Sequence, residues 1–116
     1  MKNDPEQPAY PVARTEQDQT VVALPITPLF TLGQVVSTPA ALETMSAANI
    51  SPLALLRRHL TGDWGDLDQH DQQLNDLAIK DGSRIFSAYI ICSDQRIWLI
   101  TEADRSSTTF LLPSEY

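Results

Sequence analysis

From Arg84 to Leu112 the chain reads as three runs of β-branched and aromatic residues parted by short polar turns. No other feature limits the fold as much. The runs are Arg84–Cys92, Arg96–Thr101 and Ser107–Leu112, with Ser93-Asp94-Gln95 and Ala103-Asp104-Arg105-Ser106 between them. Sequential strands on short turns pair as an antiparallel meander. A sheet of this kind must bury one face, and the preceding sequence has to supply the cover.

That cover reads as helices. Thr38-Pro39 and Ser51-Pro52 each place a hydroxyl at an N-cap and a proline at the first helical position. The first helix is expected over 39–47, with Ala40, Ala41, Leu42 and Met45 inward. The second is expected over 52–61, carrying Leu53, Leu56 and Leu60 at helical spacing and stopping at Gly62. A third over 69–80 turns Leu74, Leu77 and Ala78 inward and ends at Asp81-Gly82. Phe30–Val36, with Gly33 inside it, reads as a short strand. Helices first and strands afterwards predict an α+β fold: a short N-terminal strand and about three helices on a three- to four-stranded antiparallel C-terminal sheet. Leu56, Leu77, Ile85, Trp98, Ile100 and Leu111 are expected in one core. Residues 1–24, polar and proline-rich, are expected to be a flexible tail, and 25–116 one domain.

The composition narrows the setting. A lone Cys92 allows no internal disulfide, and no apolar run approaches the roughly 20 residues of a membrane span. The polar N-terminus lacks a signal-peptide pattern, so a cytoplasmic protein is expected. A formal net charge of −7 argues against a general nucleic-acid surface and suits a protein partner. Cys92, on an apolar strand, is expected to be buried.

Two clusters could carry chemistry. Asp63, Trp64, Asp66, Asp68 and Asp71 form an acidic loop and helix start that reads as a binding face. The spacing lacks the glycine and closing glutamate of an EF-hand, and the histidines are too far apart for zinc, so no metal or cofactor is expected. Trp64 is expected to plug the helix–sheet seam. The second cluster is the turn holding Glu102, Asp104 and Arg105, with Thr108 beyond it. Together with His59 and Arg84 these residues have the makings of a metal-independent transesterification site, with Glu102 or His59 as base and Arg105 or Arg84 stabilising charge. The order of elements is similar to small ribonucleases of the barnase, EndoU and RelE type. Each group also has a plain reading: His59 complements a helix C-terminus, and Asp104 and Arg105 make a turn with a surface ion pair. Ser87, His59 and Asp104 compose a triad on paper, without a nucleophile elbow. Glu102 and Arg105 exceed what turn chemistry demands, so one or both are expected to reach His59, Arg84 or Tyr89 in a polar network.

The runs Arg58-His59-Leu60-Thr61-Gly62-Asp63-Trp64-Gly65-Asp66, Arg84–Tyr89 and Trp98–Ser106, with the closing Thr108–Tyr116, carry a resemblance. Over about residues 30–116 the chain resembles the plasmid-related proteins, small bacterial proteins of plasmids and integrated mobile elements. The resemblance implies a mobile-element setting and no mechanism. The expected function is an accessory protein that acts by protein–protein interaction on a host defence or nucleic-acid-processing complex. The alternatives are the ribonuclease- or toxin-like enzyme and an acidic DNA mimic.

Overall fold

Hydroxyl caps start the first two helices of the computed structural model, which describes residues 26–116. The Ala41 amide donates to Thr38 Oγ1 at 3.1 Å and opens α1 (Pro39–Ala47). The Ala54 amide does the same to Ser51 Oγ at 3.4 Å for α2 (Pro52–Leu60). Asp68 caps α3 (Gln69–Asp81), accepting from the Asp71 amide at 2.8 Å, and Gly82 closes it in the left-handed region. The flexible tail expected over 1–24 lies outside the described residues.

The strands are β1 (Gln34–Ser37), β2 (Ile85–Cys92), β3 (Gln95–Thr101) and β4 (Ser107–Leu111), in the order β1-β4-β3-β2, and the fold is α+β. The meander β2-β3-β4 is antiparallel as expected. The sheet as a whole is mixed, because β1 pairs in parallel with β4, from Gln34 against Ser107 to Ser37 against Phe110. A parallel pair needs a long crossover, and residues 38–106 supply it. The first strand is also shorter than the expected 30–36. Gly33 at φ 64° breaks the extended run, and Phe30 and Leu32 turn down to pack on the core.

One sheet face takes the helices. Ala41 and Met45 of α1 and Leu55 and Leu56 of α2 pack with Tyr89, Ile97, Leu99 and Phe110. A second cluster joins Trp64, Ala78 of α3 and Ile85. The expected single core is therefore divided. Leu56 and Ile85 are buried in different clusters, while Ile100, Leu111 and half-buried Trp98 alternate onto the opposite face. Leu42, Leu74 and Leu77, expected inward, are exposed, Leu77 at 57%.

The misplacement of α3 has a physical cause: the helix guards the edge of β2. Asn75 donates from Nδ2 to the Phe86 carbonyl at 2.6 Å and accepts the Phe86 amide at 3.1 Å. The Ala88 amide donates to the Trp64 carbonyl at 3.1 Å, and the Asp66 amide to the Ala88 carbonyl at 2.6 Å. An open edge would invite another strand, and these contacts occupy it. The inward stripe of α3 is thus Asn75 and Ala78, with Leu74 and Leu77 displaced to solvent.

Candidate functional site

His59 sits in the last turn of α2 and is fully buried. Its Nδ1 lies 2.6 Å from Ser87 Oγ and its Nε2 lies 2.9 Å from Thr101 Oγ1. Thr101 Oγ1 lies 2.7 Å from Thr108 Oγ1, which donates to the Leu32 carbonyl at 2.8 Å. A hydroxyl has one proton to give, so this chain of bonds assigns every donor. Thr108 spends its proton on Leu32, hence Thr101 donates to Thr108. His59 Nε2–H then donates to Thr101, and Nδ1 accepts from Ser87. The ring is neutral, and burial pushes its pKa down to about 3.

Aromatic side chains close the remaining sides. The Phe30 ring meets the imidazole edge-on at 5.2 Å, and Trp64 meets it at 6.0 Å. Trp64, 4% exposed, donates from Nε1 to Asp76 Oδ1 at 3.1 Å. Tyr89 donates its hydroxyl to the Asp63 carbonyl at 2.7 Å, and burial pushes its pKa up.

Arg105 stands over Phe30, its guanidinium 5.8 Å from the ring centroid. Among the described residues it reaches none of His59, Arg84 or Tyr89 and no carboxylate. Nη1 donates to the carbonyls of Ser83, Glu102 and Ala103 at 2.7, 3.1 and 3.2 Å, and Nη2 to that of Ala78 at 3.0 Å. The Ala78 carbonyl already accepts the Gly82 amide that closes α3, at 3.0 Å, and Arg105 adds a second bond to it that ties the end of the helix to the β3–β4 turn. The expected carboxylate network is replaced by a fork onto main-chain oxygens. Arg105→Ala is therefore expected to cost about 2 kcal/mol in urea unfolding, since charge-assisted bonds are lost but no buried acid is stranded. Arg105→Lys should recover only part of it, because an ammonium cannot span the same carbonyls. A loss under about 0.5 kcal/mol, typical of surface changes, would contradict this assignment.

The remaining catalytic candidates do not converge. Thr108 is buried with His59, whereas Glu102 is exposed, and its main chain holds the turn through Glu102 N to Ser107 O at 3.0 Å. Arg84 is exposed, 5.5 Å over the Tyr116 ring. Asp104 turns its carboxylate to the Ser106 amide at 2.9 Å, and hydrogen bonding from Ser106 holds its pKa down. The paper triad therefore has Ser87 and His59 in contact, with Asp104 spent in an exposed turn.

The acidic loop is similarly committed. Asp63 pairs with Arg58 at 2.7 Å, which holds its carboxyl below the usual range, and Asp66 pairs with Arg96 at 2.8 Å. Asp68 is the α3 cap and Asp71 lies in its first turn. Among the described residues no group of three or more His, Cys, Asp or Glu side chains could hold a metal ion, and no helix is long and apolar enough to cross a membrane. Cys92, expected to be buried, is exposed: it ends β2 beside the β2–β3 turn and shares the strand parity of the outward Phe86 and Ile90. A groove of about 600 Å³ between Ile26 and α2 is lined by Leu53, Ala54, Arg57, Arg58, Thr61 and Asp63, and contains none of the catalytic candidates.

The helix-free sheet face carries what the sequence reading passed over. Phe86 and Trp98 meet edge to face at 4.8 Å, and Tyr116 lies against Trp98 at 5.6 Å. Tyr116 is 65% exposed and Ile90 48%. The 3₁₀ turn Pro113–Glu115 brings Tyr116 there, anchored by Thr38 Oγ1 donating to Glu115 Oε1 at 2.8 Å. Strand alternation was the available signal: Phe86, Trp98 and Ile100 share one parity with respect to the inward Ile85, Ser87, Leu99 and Thr101. No protein-family profile, curated protein or solved structure matches the chain.

Proposed function

We propose that this chain is a cytoplasmic, non-enzymatic interaction domain of the plasmid-related family it resembles, and that it binds a protein through the helix-free sheet face. One observation carries the reading: the Phe86–Trp98–Tyr116 row, with Tyr116 largely exposed at its end. Aromatic side chains supply large contact area at low entropic cost and dominate binding hot spots. The ribonuclease reading gains no such support, since of its candidate bases His59 is sealed from solvent and Glu102 lies apart from it in an exposed turn, and its arginines point to different places. The DNA-mimic reading loses two of its carboxylates to ion pairs with Arg58 and Arg96.

The test is a photo-crosslinking aromatic amino acid placed at position 116 of the full chain in bacterial cells. The expected result is one protein captured in stoichiometric yield, and loss of that capture on Trp98→Ala with the circular dichroism spectrum unchanged. Capture of nothing, or undiminished capture by Trp98→Ala, would overturn the assignment of the face.

A further inference from the structure

The helix-free face is close to neutral in a chain whose formal net charge is −7. Of the charged side chains on its strands and their outward flanks, Arg96 is spent on Asp66, and Arg84 and Glu102 remain. Ile85 is paired with Thr101, so Arg84 and Glu102 lie just past that pair, side by side on the outward parity. Both are exposed, and among the described residues neither reaches an opposite charge. Arg84 stands over the Tyr116 ring instead.

A surface of this kind is complementary to itself, which is what a two-fold interface between identical chains requires. An axis parallel to the strands and running between β2 and β3 exchanges the two sides of that seam. It sets Arg84 of one copy opposite Glu102 of the other, and does so twice. Ala88 is paired with Trp98 and Phe86 with Ile100, so the same axis lays the small Ala88 over the large Trp98 and Phe86 over Ile100. Strands related in this way stay aligned, the common packing of two sheets face to face. Tyr116, 65% exposed against Trp98, is then enclosed between sheets about 10 Å apart.

The flank of α3 widens the apolar area. Asn75 and Ala78 turn to β2, and Asp76 and Ile79 turn toward Trp64. Leu74 and Leu77 therefore fall on the opposite flank, the side of the helix-free face, and both are exposed. Four strands at about 4.8 Å and a helix about 10 Å thick make a face close to 30 Å wide. The seven residues of β3 run about 23 Å along it. Its projected area, roughly 700 Å², approaches the ~800 Å² that each partner gives to a stable interface.

We infer that the partner of the helix-free face is a second copy of this chain, in a two-fold dimer where Arg84 of each copy meets Glu102 of the other. The inference rests on the reading of that face as the binding surface and names its occupant. Neutrality of the face is what lets two acidic chains meet there, since their remaining carboxylates stay outside the contact.

The test is the mass in solution of the purified full chain, by light scattering and analytical ultracentrifugation. The parent is expected to be a dimer. Arg84→Glu and Glu102→Arg should each weaken it by about a hundredfold, because the axis repeats every like-charge contact. Both positions are exposed and unpaired, so the circular dichroism spectrum and urea midpoint should not move. An equimolar mixture of the two variants should dimerise again, because each then meets its opposite charge in the other. A parent that stays monomeric up to about 100 μM, single variants that remain dimeric, or a mixture that stays monomeric would each overturn the two-fold contact. Capture through position 116 of a protein other than this chain, with the parent monomeric, overturns the second copy and leaves the face a binding surface. The two readings therefore fail by different measurements.

Discussion

A His59→Ala chain is expected to lose on the order of 4 kcal/mol of folding stability. The substitution removes a fully buried ring packed between Phe30 and Trp64, and large-to-small core changes cost about 2–5 kcal/mol. It also strips one partner from the hydroxyls of Ser87 and Thr101, both fully buried, and an unmade buried bond costs about 1–3 kcal/mol. Partial collapse of the cavity keeps the total below the simple sum of these. Equilibrium urea unfolding, with the slope of the transition compared to the parent, measures it. A loss below about 1 kcal/mol, the size of an ordinary surface change, would show that the network is not a structural core.

The same ring makes stability depend on pH in a defined direction. In the unfolded chain His59 has its ordinary pKa of about 6.5, while in the folded chain burial lowers it to about 3. Between these values the unfolded state binds a proton that the native state refuses, so stability rises with pH. The contribution of the neutral ring is complete above about pH 6.5 and is lost as pH falls toward 3, by up to about 1.4 kcal/mol per pH unit. Carboxylates enter below about pH 5, which leaves pH 6.5 to 5 as the clean window. Across it His59→Gln should flatten the slope.

How much of this was legible in the sequence follows from which forces are local. Hydroxyl–proline helix starts and alternating strands are decided within a few residues, so α1, α2 and the meander could be read directly. Long-range pairing is not: nothing near Gln34–Ser37 announces a parallel partner at Ser107–Phe110. The fate of α3 was misread because apolar periodicity reports burial against a face, and this helix packs on an edge. There the demand is for a side chain that both donates and accepts, and Asn75 meets it where Leu77 cannot. Arg105 exceeds the needs of its turn, but its partners are carbonyls, which leave no trace in side-chain identity. The His59 network was hidden for a similar reason. Ser87 and Thr101 look like ordinary strand residues until alternation sets them inward, and only the pairing of β2 with β3 brings both within reach of α2.

Gly65→Ala is expected to destabilise the domain by 3 kcal/mol or more, on the order of the largest single-residue losses. Gly65 forms an isolated bridge with Ala88 on the outer edge of β2, and its φ is 79°. An added Cβ would strike the Ala88 carbonyl oxygen and stand 2.6 Å from Tyr89 Cδ1, against backbone and a buried ring that cannot swing aside. Gly82 separates this clash from simple backbone strain. Its φ is 81°, almost the same, yet a Cβ there meets nothing within 4 Å. Gly82→Ala should therefore cost only the left-handed penalty of about 1–2 kcal/mol. The difference between the two variants in urea unfolding measures the steric term alone. The Gly65 variant should also speed hydrogen exchange at the Asp66 and Ala88 amides, because the bonds sealing the edge open with the displaced loop. An exposed strand edge then recruits other chains, so soluble oligomers are expected in light scattering below the unfolding midpoint. Equal costs for the two alanines would mean that the loop yields at Gly65 without disturbing β2, and that the close approach of Trp64–Asp66 to the strand is not what guards that edge.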